Sequence, residues 1–217
     1  MARAVLWDLD GTMVDSAEQH WQSWVEALEA EGFSVTREQF RATFGQRNDR
    51  ILKTWLGQRA TADVIDRVGN AKEEAYRRIM RAGGLEPLAG VHAWIDRLHR
   101  ERWRQAIASS APRLNVEAVI EVLDWSRYFG AIASGDDVTA GKPDPQVFLV
   151  AAERLRVSPS RCVVVEDAAV GIEAARRGGM HSIAVGPAAE VLGADTAVGS
   201  LDLLPADAFD RLVLRNA

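Results

Sequence analysis

Ala4-Val5-Leu6-Trp7-Asp8-Leu9-Asp10-Gly11-Thr12 is a short apolar run that delivers two carboxylates two residues apart, followed by a glycine and a hydroxyl. A run of this kind reads as a buried strand. With a side-chain period of two, Asp8 and Asp10 point the same way. In an open α/β sheet, ligands bind just beyond the carboxyl ends of the strands. Two acids there can hold a divalent cation and leave an oxygen free to attack an electrophile. Gly11 lets the backbone approach whatever those acids grip. A solvated turn bearing two acids is the competing reading, so the rest of the chain has to decide.

Three further segments repeat the same grammar of an apolar run, a reactive side chain and a helix start. Gln105-Ala106-Ile107-Ala108 runs into Ser109-Ser110. Gly141-Lys142-Pro143-Asp144-Pro145 offers an ammonium just before a helix for which Asp144 is the expected cap and Pro145 the first residue. Cys162-Val163-Val164-Val165 ends in Glu166-Asp167, followed by Ala168-Ala169-Val170-Gly171-Ile172. A hydroxyl, an ammonium and a pair of acids at the loops of one sheet suit phosphoryl transfer, because each can bind or neutralise phosphate oxygens.

Taken in order from Asp8 to Ala175, D-x-D-G-T, A-S-S, G-K-P-x-P and E-D-x-x-x-G-I-x-A-A resemble the four motifs of the haloacid-dehalogenase superfamily. The branch they resemble is that of β-phosphoglucomutase and related sugar-phosphate phosphatases. The resemblance implies a cofactor, Mg2+, and a phosphorylated small metabolite as substrate. It also implies the metal ligands: Asp8, the main-chain oxygen of Asp10 and the side chain of Asp167. Glu166 either ligates through water or orients the others. Asp8 is the expected nucleophile, attacking phosphorus to give an aspartyl phosphate. Asp10 is the expected general acid and base, with a purely structural acid as the plain alternative. The dehalogenase branch lacks an acid at that position, which argues against carbon–halogen cleavage. Ser109 is expected to donate to a phosphate oxygen with Ser110 beside it, and Lys142 to bridge Asp8 and the phosphate.

Between the first and second strand runs lie roughly seventy residues with helical signals and little strand pattern. Ala17, Trp21, Trp24 and Leu28 fall on one helical face, closed by Gly32. Thr36-Arg37-Glu38-Gln39 reads as a capping box. Ile51, Leu52, Trp55 and Leu56 make a third helix stopped by Gly57, and Thr61 opens a fourth with Val64, Val68, Ala71, Ala75 and Ile79 on its stripe. Gly83-Gly84 ends it, as a helix terminus or as a hinge. Thereafter helices alternate with apolar runs at 104–108, 130–134, 161–165 and 181–185. With 4–7 these predict an α/β, Rossmann-like, mostly parallel five-stranded sheet carrying an inserted four-helix cap. The expected division is 1–15 and 85–217 for the core and 16–84 for the cap. Such an insertion leaves and returns beside the acids of the first strand, so it is expected to act as a lid.

Within the lid, His20 and Lys72 match residues of β-phosphoglucomutase-like proteins, where the histidine couples closure to protonation of the acid/base. By their residues alone, His20 is a helix-face histidine and Lys72 a solvated lysine. Arg47, in the polar break Gly45-Gln46-Arg47-Asn48-Asp49, is a candidate clamp for a second anionic group. Of the seven tryptophans, Trp21, Trp55 and Trp94 read as core. Trp24 is divided between core packing and stacking on a sugar, and Trp7 is expected to face away from the acids. His92, His99 and His181 show no ligand spacing.

The chain has 217 residues, a formal net charge of −5 and one cysteine, Cys162. No apolar run approaches bilayer length, no basic stripe invites nucleic acid, and Cys162 sits in an apolar run as an inert thiol. The first strand begins at once, without room for a signal peptide, so a cytoplasmic protein is expected; the expected state, a monomer or weak dimer, is not read from any motif. A phosphatase is favoured over a mutase by two departures from the mutase pattern. The phosphate loop reads Ser109-Ser110-Ala111-Pro112-Arg113 where a mutase carries S-x-S followed by a basic residue and asparagine. The mutase's lid arginine falls at Asn48, one residue beyond Arg47. A phosphometabolite-binding protein without turnover is the third reading.

Overall fold

The computed structural model describes residues 2–214. The chain divides into two compact units, Met1–Asp15 with Glu86–Ala217, and Ser16–Leu85. In chain order, β1 (Ala4–Trp7) is followed by α1 (Ala17–Glu29), α2 (Arg37–Thr43), α3 (Asn48–Leu56) and α4 (Ala62–Gly83). Then come α5 (Val91–Arg100), β2 (Arg104–Ala108), α6 (Arg113–Val122), β3 (Ala131–Ala133) and α7 (Gln146–Leu155). The chain continues with β4 (Cys162–Glu166), α8 (Ala169–Arg177), β5 (His181–Val185), β6 (Thr196–Val198) and α9 (Ala208–Leu214).

The strands of the first unit form one sheet of order β3-β2-β1-β4-β5-β6, every pairing parallel. The sheet has six strands rather than the expected five. The additional one, Thr196–Val198, is three residues long and only half-buried, too short to leave a hydrophobic signature. β1 lies where the connections part toward opposite edges, and a crevice opens at such a point beyond the strand ends.

Alternation sets the two faces of β1, whose four residues are all 0% exposed. Ala4 and Leu6 join Ala106, Val164, Phe148 and Ala151 in the core beneath α7 and α8. Trp7 turns to the opposite face, where its ring meets Phe209 at 6.2 Å and its Nε1 donates to Gln105 Oε1 at 3.0 Å. Full burial of side chains the size of Leu6, Val164 and Phe148 contributes about 1.5–3 kcal/mol each. Cys162 is buried in the core, and that burial pushes its thiol up to about 12.

In the second unit, α1 packs on α4, and Trp24, Leu28, Phe40, Leu52 and Val68 make the core. The capping box at Thr36 forms with both bonds, and Thr61 accepts from Val64 N to open α4. Two helix faces differ from expectation. On α1 the buried face is His20, Ser23, Trp24, Ala27 and Leu28, leaving Trp21 half-exposed beneath the Arg37 guanidinium at 4.6 Å. On α4, Ala71 is exposed and Ile79 half-exposed, while Lys72 and Glu73 are buried. Trp24 is 1% exposed and edge-on to Trp55, so it is a core residue with no face for a sugar. No helix among the described residues is long and apolar enough to cross a membrane.

Candidate active site

Asp8 follows β1 directly, its amide held by Val165 O at 3.0 Å, so its position is set by the β1–β4 pairing. Glu166 closes β4 and Asp167 follows it. The carboxylates of Asp8, Glu166 and Asp167 each present an oxygen within 4.8 Å of the others. Lys142 enters from the loop before α7, its side chain 6% exposed, and donates to Asp8 and to Glu166 Oε1, the latter at 2.7 Å. Four residues from three separate segments therefore meet in one group.

Three carboxylates face one ammonium here, and the imbalance governs the electrostatics. Burial raises Asp8 well above the usual carboxylate range, the charges of Glu166 and Asp167 raise it further, and Lys142 opposes them. Burial and Glu166 push Asp167 up to about 7 against the bond from Thr12. For Lys142, burial favours the neutral amine, but Asp8 and Glu166 outweigh it and its pKa is raised. An all-oxygen, over-acidic cluster of this kind fits a hard divalent cation such as Mg2+.

Two supports of the cluster lie within the motifs. Thr12, fully buried, donates from Oγ1 to Asp167 Oδ1 at 2.9 Å. Glu166 Oε2 accepts from the amides of Asp167 and Ala168 at 2.7 and 2.8 Å, so both Glu166 oxygens are engaged. Gly171 makes room for that carboxylate, because a Cβ there would overlap it. Gly11, at φ +88°, likewise passes against the Asp167 carboxylate.

The remaining core residues stand as follows. Asp10 is half-buried in a turn bridged to Val14, and its carboxylate is outside the three-acid group. Ser109 follows β2, whose Ile107 is opposite Trp7, and is 2% exposed. Its Oγ accepts from Ala111 N at 3.0 Å, which leaves its own hydrogen to donate. Ser110 lies next in the loop, its carbonyl so close under Gly135 that a side chain there would collide with it. Asp144 Oδ1 accepts from Gln146 N at 3.0 Å, and α7 starts at Gln146 with Pro145 at its cap, one residue later than the sequence suggests.

In the helical unit, His20 and Lys72 meet: Lys72 Nζ lies 2.9 Å from His20 Nδ1. Lys72 is not solvated but 3% exposed, with its ammonium 5.3 and 5.4 Å from the rings of Trp24 and Tyr76. Sequence reasoning missed its partner Glu73, which accepts from Lys72 at 2.9 Å and from Asn48 Nδ2 at 2.6 Å. Burial acts to raise Glu73, yet the charges of Lys72 and His20 outweigh it and hold the carboxyl below the usual range. Arg47 is half-exposed at the start of α3, with its Nε 3.4 Å from Asp49 Oδ1.

A family model described as haloacid dehalogenase-like hydrolase matches residues 2–179. The chain is 31% identical over 181 residues to the fructose-1-phosphate phosphatase YqaB of Escherichia coli, covering 83% of this chain and 95% of that protein. It is 29% identical over 202 residues to the β-phosphoglucomutase of Bacillus subtilis, covering 90% and 88%. The structure of CbbY from Rhodobacter sphaeroides in complex with phosphate aligns with a TM-score of 0.88 at 28% identity, over 97% of this chain and all of that one (100%). Because that family model spans residues 2–179, most of the sequence, this chain belongs to the haloacid dehalogenase-like hydrolases.

Proposed function

We propose that the protein is a Mg2+-dependent phosphatase of small phosphorylated metabolites, sugar or polyol phosphates, working through a phosphorylated Asp8. The observation that carries this reading is the Asp8 carboxylate, held by Lys142 within the group completed by Glu166 and Asp167. Asp8 and Asp167, with the main-chain oxygen of Asp10, would hold the metal. Glu166, bonded on both oxygens, orients the group. The cation, when bound, supplies the positive charge that lets a carboxylate approach a phosphate dianion.

Asp8 attacks phosphorus, and the bond from phosphorus to the ester oxygen breaks. Asp10 gives its proton to that departing oxygen and then takes one from the water that attacks the phosphorylated Asp8. Phosphate leaves and Asp8 is restored. Lys142 holds Asp8 and the moving phosphoryl oxygens, and Ser109 donates its hydroxyl to one of them, with Ser110 beside it. We assign selection of the alcohol to the helical unit, through His20, Lys72 and Arg47. The chain leaves for that unit and returns from it beside the bridge of Val14 to Pro87, and Val14 also bridges to Asp10.

Phosphate release from an aryl phosphate and from a panel of phosphorylated metabolites, with and without Mg2+, tests this reading. Mg2+-dependent release is expected. Isomerisation of β-glucose 1-phosphate outrunning phosphate release would make the protein a mutase. Mg2+ binding without either reaction would make it a binding protein.

A further inference from the structure

We infer that Gln146 is a positioning residue for Lys142, a role that rests on the reading of Lys142 given above. Lys142 sits in the middle of a loop whose two ends one side chain clasps. Gln146 Oε1 accepts from Thr139 N at 2.9 Å, from Ala140 N at 3.2 Å and from Thr139 Oγ1 at 3.3 Å. The clasp thus joins positions three before and four after the lysine. Inside it, Asp144 N donates to Gly141 O at 3.1 Å and Gln146 N to Asp144 Oδ1 at 3.0 Å.

A lysine is a long, flexible arm that loses much rotamer freedom when held in one geometry. Lys142 must reach Asp8 and Glu166 with a side chain that is 6% exposed and passes over the Phe148 ring, its Nζ 4.8 Å from the centroid. The arm can do so only from a fixed root. Phe148 and Gln146 both belong to the start of α7, so the helix sets the arm's path and its origin together. Without the clasp, the amides of Thr139 and Ala140 lose their acceptor and the segment before Lys142 is free to shift. A displacement on the order of 1 Å at a reacting group costs up to about a hundredfold in rate.

The chemistry of the clasp is selective. All three contacts use one oxygen as acceptor, a task a carboxylate performs equally and a thioether does not. Gln146→Glu should therefore keep at least about half of the wild-type kcat, helped by its place at a helix N-terminus. Gln146→Met, nearly isosteric, should lose about tenfold in kcat with KM and the Mg2+ requirement little changed, because Lys142 acts on the moving phosphoryl group. A merely structural role would lower the melting temperature and leave kcat per folded molecule intact.

The experiment is steady-state hydrolysis of an aryl phosphate by the full chain and by Gln146→Met, Gln146→Glu and Lys142→Met, each with its melting curve. Loss in Gln146→Met and Lys142→Met with retention in Gln146→Glu is the expected result. Full kcat in Gln146→Met, or equal loss in Gln146→Glu, overturns the inference. Full turnover in Lys142→Met overturns instead the reading of Lys142. Should Gln146→Met not fold, Gln146→Asn withdraws the same acceptor by one methylene and carries the same expectation.

Discussion

Thr12 Oγ1 donates to Asp167 Oδ1 at 2.9 Å from a position with no solvent exposure. That hydroxyl works against the burial and the Glu166 charge that push Asp167 up to about 7. Removing it leaves Asp167 more often protonated near neutrality, so a metal must first displace a proton. Thr12→Val is expected to raise the Mg2+ concentration for half-maximal activity about tenfold, in line with a hydrogen bond to a charged group. Thr12→Ser should stay near wild type. The defect should shrink between about pH 6 and about pH 9, as Asp167 ionises in both proteins. Mg2+ titrations across that range check it.

Gly171→Ala pits two effects of opposite sign against each other. Replacing a helical glycine by alanine ordinarily stabilises by about 1 kcal/mol. Here the new Cβ would overlap the Glu166 carboxylate and break its bonds to Lys142 and to the Asp167 and Ala168 amides. Disrupting a buried ion pair costs about 3–5 kcal/mol, so destabilisation should win. Activity should fall at least about a hundredfold with it. Urea unfolding and kcat measure both, and a variant more stable than wild type would refute the fit.

Glu73 gives the helical unit a pH signature. Its carboxyl is held below the usual range by Lys72 and His20, with Asn48 also bonded to it. A group with a depressed folded pKa contributes stability that is present above the unfolded value and lost as pH falls through the folded one. Glu73→Gln keeps the hydrogen-bonding shape but not the charge, leaving Lys72 without its counterion. It should cost about 3–5 kcal/mol at neutral pH and flatten the fall in stability below about pH 4.5. Denaturant unfolding at several pH values reads this directly, and a slope identical to wild type would contradict it.

The sequence announces the core because a buried parallel strand reads as an apolar run, and three of the runs, those of β1, β2 and β4, end in chemistry. β1, β2, β4 and β5 lie within a residue of where those runs predict them. β6 is unreadable, since three half-buried residues carry no period. The buried Lys72 and Glu73 are hidden for another reason. Helical periodicity sends charged residues outward by rule, and only the spatial meeting with His20 and Asn48 reverses it. Thr12 and Gly171 were visible as motif letters, but their tasks depend on the side chains of Asp167 and Glu166 coming from elsewhere in the sheet. Gln146 left no trace, because it bonds main-chain amides that every residue has.

That Asp8 itself takes up the phosphoryl group is open to one direct measurement. Wild-type protein turning over a phosphomonoester with Mg2+ is quenched in acid, digested and examined by peptide mass spectrometry. One phosphoryl group on the peptide containing Asp8, absent from Asp8→Asn along with turnover, is the predicted result. Phosphorylation at another residue, or undiminished hydrolysis by Asp8→Asn, would contradict the account.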